Sequence, residues 1–118
     1  MTRQALPERF PLPTRRQCIT MSTEWQGHPM TVTVGLYPDG TPGEVFADHP
    51  KDAHRGAEWA DVCTSLSIAL QYGVPPAALA RSLGTVPVWA IVDGQMQLVN
   101  ASASPAGTII NCIIEASA

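Results

Sequence analysis

The chain has 118 residues, 45% of them apolar and 14% charged, with a formal net charge of −3. That length is one ordinary domain and falls far short of a barrel enzyme with its own cofactor shell. A charged fraction well under the roughly 25% of an average soluble domain excludes both a disordered chain and a basic protein that coats nucleic acid.

Charge is unevenly placed. Residues 1–16 hold Arg3, Arg9, Arg15 and Arg16 against Glu8 alone, whereas the remainder sets Lys51, Arg55 and Arg81 against nine acids. A basic arm on an acidic body is poorly suited to duplex DNA, which needs several cations presented together on one surface. Such an arm is either solvated, packed on its own acidic body, or in contact with a nucleotide or an acidic partner, and Arg15 and Arg16 are its candidate contacts. The N-terminus MTRQALPERFPLPTRR lacks the apolar core of a signal peptide, and no apolar run approaches 18 residues, so a cytoplasmic protein without a membrane span is expected. Cys18, Cys63 and Cys112 are odd in number and far apart, which gives neither a disulfide framework nor a CxxC pair; each reads as a small buried residue.

In chain order, Pro7, Pro11 and Pro13 make residues 1–14 an extended basic leader. A single domain is expected over 15–118. Gln17–Glu24 and Met30–Leu36 alternate with period two, as half-buried strands do, and Gln26-Gly27-His28-Pro29 separates them. Tyr37-Pro38-Asp39-Gly40 is a turn that sends Glu44–Asp48 back as a third strand. From Ala57 the period becomes 3.6: Trp59, Val62, Cys63, Leu66, Ala69 and Leu70 share one helical face, and Gly73 supplies a left-handed cap. Val74-Pro75-Pro76 opens a shorter helix to about Leu83, the αα-hairpin partner of the first. Val86–Val92 and Gln95–Asn100 flank Asp93-Gly94, a two-residue hairpin signal. Thr108–Ile114 is short, β-branched and apolar on both faces, and reads as a buried or interface strand. The resulting fold class is α+β: an antiparallel meander, an αα-hairpin packed on one sheet face, and a C-terminal β extension over 86–118.

The junction Leu70-Gln71-Tyr72-Gly73-Val74-Pro75, together with Gly27-His28, Tyr37, Asp39-Gly40 and Gly43-Glu44-Val45-Phe46, resembles the TSCPD-type module near the C-terminus of adenosylcobalamin (vitamin B12)-dependent ribonucleotide reductases. Leu12-Pro13 and Arg15-Arg16 look like the linker into that module. The resemblance covers residues 12–85. The TSCPD string itself is absent, Asp61-Val62-Cys63-Thr64-Ser65 standing on the helix instead, and nothing corresponds to the reductase barrel, its radical cysteine, its cobalamin surface or its paired tail cysteines. The resemblance therefore implies fold and lineage rather than activity.

Candidate chemistry is thin. Asp48 and His49, with Asp52 and His54, form a polar loop between the third strand and the first helix. It is the first candidate for ligand contact, either as a solvated loop or as an acid-and-imidazole cluster, although no CxxC or HxxxH spacing supports a metal site. Tyr72, at the helix end, either stacks a base or packs the corner. Trp25, Trp59 and Trp89 read as core or interface anchors. No nucleophile elbow, P-loop or dinucleotide fingerprint is present, so no catalytic residue, cofactor or metal is expected, nor ribonucleotide reduction by the isolated chain. The expected function is a non-catalytic module acting by protein binding or self-association, as a homodimer with the C-terminal β segment or its hairpin in the interface. The alternatives are an accessory that binds nucleotide or assists a ribonucleotide reductase, and a single-stranded nucleic-acid binder.

Overall fold

The structure is a computed structural model that describes residues 8–48 and 53–117, the side chains of 53–55 excepted. Three strands, β1 (Cys18–Trp25), β2 (His28–Leu36) and β3 (Pro42–Asp48), form an antiparallel sheet in that order. Helices α1 (Ala53–Gln71) and α2 (Pro76–Ser82) follow. A two-stranded ribbon of β4 (Thr85–Val92) and β5 (Gln95–Ser102) comes next, and α3 (Pro105–Ala116) closes the chain.

Local chemistry sets the turns. Gln26 and Gly27, with φ of 47° and 79°, and Asp93 and Gly94, with φ of 51° and 78°, both occupy the left-handed region. Each pair is the two-residue loop whose twist matches that of its flanking strands. His28 and Pro29 thus belong to β2, where they pair with Trp25 and Glu24. At the end of α1, Gly73 takes φ +90° and its amide bonds Leu70 O at 2.9 Å, while Val74 N reaches Ala69 O. This is the cap anticipated from the sequence.

Period-two alternation sends one face of the first sheet inward. Ile19 and Met21 from β1, Met30, Val32 and Val34 from β2, and Val45 from β3 meet Trp59, Cys63 and Leu70 of α1 and Ile109, Cys112 and Ile113 of α3. Six of these side chains or their neighbours, Val32, Val34, Val45, Ile109, Ile110 and Ile113, are below 2% exposure.

Three expectations need correction. Thr108–Ile114 is helical: Pro105 stands in the first turn behind Ser104, and Ile109, Ile110, Cys112 and Ile113 repeat at helical spacing, which buries them on one face. The β-branched run is overruled because that proline favours a helix start and the core needs a lid. Next, α2 follows α1 but packs on α3. Cys18 is exposed, since it opens β1 on the outward face of the alternation, whereas Cys63 and Cys112 are buried. Of the expected core or interface anchors, Trp89 is 68% exposed and lies outside the core.

Candidate functional site

A groove of about 1060 Å³ lies between three segments of the chain. It is lined by the leader, Phe10 to Pro13, by the Tyr37–Asp39 turn with Leu70, and by the α1–α2 junction, Tyr72 to Pro76. The three segments that form it lie 24 to 68 positions apart in sequence, and a small set of bonds assembles them.

Gln71 is the central tie. It is 8% exposed, its Nε2 donates to Gly43 O at 3.0 Å, and its Oε1 accepts from Arg9 Nε at 2.6 Å. Its main-chain oxygen accepts from Phe10 N at 3.0 Å. The Tyr37 hydroxyl donates to Phe10 O, and burial raises its pKa, the Arg9 charge opposing. Gly43 is the extra residue of a β-bulge, because Gly35 pairs with Glu44 while Leu36 pairs with Pro42. A Cβ at Gly43 would come within 2.5 Å of the Tyr37 ring and 2.9 Å of Leu12 Cδ2, so only glycine admits that close approach.

A second tie fixes the base of the leader. Arg16 grips Glu44 with Nε on Oε1 and Nη2 on Oε2 at 3.1 Å, and its Nη1 holds Pro13 O at 2.8 Å. The Glu44 hydrogen bond raises the Arg16 pKa further. The leader is therefore packed on the acidic body between residues 9 and 16, and Arg9 and Arg16 are engaged within the protein. Arg15 is exposed.

The described sequence candidates do not converge. Tyr72 lines the groove. Asp48 lies at the opposite end of β3 from the groove residue Pro42, about 20 Å along the strand. His49 lies outside the described residues, as does the His54 side chain. Among the described residues no three His, Cys, Asp or Glu side chains gather as a metal site, and no helix is long and apolar enough to cross a membrane. Tyr37 and Asp39, expected as turn residues, also line the groove; the prolines near both tyrosines, Pro38 after Tyr37 and Pro75-Pro76 beyond Tyr72, were the available signal.

A different surface stands out on the ribbon. Register pairs Trp89 with Leu98 and Ile91 with Met96, so all four project from one face. Their exposures are 68, 56, 72 and 63%.

A profile of the TSCPD domain matches residues 5–115, nearly the whole chain. The chain belongs to the TSCPD domain family. The family match runs beyond residue 85 and so takes in the β4–β5 ribbon and α3. Curated relatives are vitamin B12-dependent ribonucleotide reductases: 46% identical over 70 residues in Rhodopirellula baltica and 39% over 69 residues in Agrobacterium fabrum, each alignment covering 58% of this chain. A third, from Bradyrhizobium diazoefficiens, is 36% identical over 69 residues. The aligned stretch is 5 to 7% of the length of these reductases. No solved structure matches the chain. The TSCPD residues that carried the resemblance turn out to hold one another: Gln71 binds Gly43, Tyr37 packs on Gly43, and Glu44 binds Arg16.

Proposed function

We propose that this TSCPD chain is a cytoplasmic, non-catalytic binding module that acts by self-association, the open face of the β4–β5 ribbon meeting the same face of a second copy. The observation that carries the reading is the exposed quartet Trp89, Ile91, Met96 and Leu98. A contiguous apolar face of this kind marks an interaction surface, and a two-stranded sheet is marginal in water without a covering layer. Between Thr85 and Ser102 the single charged residue is Asp93, at the turn. The face thus offers nothing to a charged partner and suits an isologous contact across a two-fold axis.

Because α3 closes the core, truncating the C-terminus would unfold the protein rather than probe the interface. The test is substitution of Trp89→Thr with Leu98→Thr, followed by sedimentation and light scattering at micromolar concentration. A dimer that the paired substitution converts to a folded monomer, with native circular dichroism, supports the reading. A wild-type monomer, or a dimer indifferent to the substitution, rejects it.

The kinship with reductases favours a second reading, service to a ribonucleotide reductase. Its test is whether the chain restores activity to a B12-dependent reductase shorn of its own module. Single-stranded nucleic acid is the weakest alternative, because two of the four leader arginines are committed to Gln71 and Glu44.

A further inference from the structure

The groove between the leader and the α1–α2 junction is separate from the ribbon face, and its chemistry is distinct. We propose that it binds an extended, proline-containing segment of a partner protein, with a basic side chain of that segment set against Asp39 and Glu8.

Three observations lead there. The groove is lined by aromatic and proline side chains: Tyr37 and Tyr72, flanked by Pro11, Pro13, Pro38 and Pro75. Rigid surfaces of this composition receive polyproline-type segments, which arrive already extended and lose little entropy on docking. The hydrogen-bonding groups around it are also largely spent. Gln71 is bonded at both ends, the Tyr37 hydroxyl is bonded to Phe10 O, and Asp39 Oδ1 accepts from Thr41 N at 3.0 Å and Thr41 Oγ1 at 2.6 Å. An occupant rich in proline, which brings few N–H groups to satisfy, fits such a lining. The Tyr72 hydroxyl has no hydrogen-bond partner among the described residues and is free to donate to a peptide carbonyl.

The third observation is charge. The groove is lined by two carboxylates, Glu8 and Asp39, and by no Lys, Arg or His. The hydrogen bonds from Thr41 hold the Asp39 carboxyl below its ordinary pKa, so it is ionised at physiological pH. Arg9, the adjacent cation, faces the smaller cleft between α1 and β3. Anionic groups in a groove that tyrosines also line select a cation, which gains from the carboxylates and from any ring it meets face-on.

The experiment is fluorescence anisotropy on the full chain with a short fluorescein-labelled peptide carrying a Pro-x-x-Pro turn and an arginine. Controls replace the arginine by glutamate, replace the prolines by alanine, or use labelled oligothymidine. Saturable binding is expected, weaker by about tenfold or more for each peptide control. Tyr72→Ala should lose about tenfold and Tyr72→Phe about threefold or less, and Asp39→Asn should flatten the salt dependence of binding. Trp89→Thr with Leu98→Thr should leave peptide affinity unchanged, which separates this site from self-association. No saturable binding, indifference to the arginine or prolines, preference for oligothymidine, or full affinity in a folded Tyr72→Ala variant would overturn the proposal.

Discussion

The Val45 amide, on the outer edge of β3, donates to the Ser67 hydroxyl at 3.0 Å. It is the middle rung of a ladder: Gln71 binds Gly43 O, Ser67 serves Val45, and the Cys63 thiol contacts the Ala47 backbone. Four residues of helix advance about 6.0 Å and two of strand about 6.6 Å, so a helix antiparallel to β3 presents one side chain to every second residue. Helix α1 thus closes a sheet edge that would otherwise template pairing with another chain.

Ser67→Ala strands the Val45 amide at a residue that is 1% exposed. Leaving a buried donor unsatisfied costs about 1–3 kcal/mol, and the urea midpoint should fall accordingly with an unchanged slope. An unaltered midpoint would mean that water or a shifted helix takes over the bond.

Glu44 lies across the bare Cα of Gly35 on the neighbouring strand. A Cβ there would meet Oε1 at 2.5 Å and Cγ at 2.6 Å, while Arg16 prevents the carboxylate from swinging away. Gly35→Ala should destabilise by about 1–3 kcal/mol, the usual scale of overpacking. In a Glu44→Ala background the same change should cost about 1 kcal/mol or less. Equal costs in both backgrounds would assign the glycine to something other than this contact.

Helix α3 makes a paired prediction. Ile110 is 0% exposed and Ile114 is 37% exposed. Ile110→Ala should cost about 2–5 kcal/mol and Ile114→Ala about 1 kcal/mol or less. The two lie one helical turn apart, Ile114 where the helix leaves the core, so similar losses would contradict that placement.

Thiol chemistry should report burial directly. Desolvation raises the pKa of Cys63 and of Cys112, with Glu115 adding to the latter, and Cys18 is exposed. An aromatic disulfide reagent should titrate one thiol quickly in the native protein and all three after unfolding. Because the folded-state values lie above the unfolded ones, the native state holds its thiol protons longer. Stability should be level with respect to these groups below the ordinary thiol pKa and decline as pH rises through the raised values. The Tyr37 hydroxyl, raised by burial, adds to that alkaline loss. Stability that rises through the alkaline range would contradict the sign.

Legibility followed the range of the interaction. The Asp93-Gly94 hairpin and the Gly73 cap depend on neighbours within a few residues, and both were readable from the sequence. Helix α3 was missed because four isoleucines outweighed Ser104-Pro105 at its start; local propensity favoured a strand, and the unfilled inner face of the sheet decided otherwise. The groove was out of reach for a different reason. Arg9 and Gln71 are 62 residues apart, and no spacing rule joins a proline-rich leader to the end of a helix. Tyr72 was legible as a residue with a chemical use, but not as the neighbour of Phe10.

The ribbon meets the body at its base, where the Trp25 indole donates to Ser102 O at 3.0 Å and Ser102 lies 2.8 Å from where a Cβ of Gly107 would sit. Eight residues at about 3.3 Å each carry the Asp93 tip about 25 Å outward, so a tilt of about 5° at the base displaces the tip by about 2 Å. The ribbon is mechanically a lever whose fulcrum is built from core contacts. A slight repacking around Trp25 or Gly107 would be multiplied at the surface that carries Trp89.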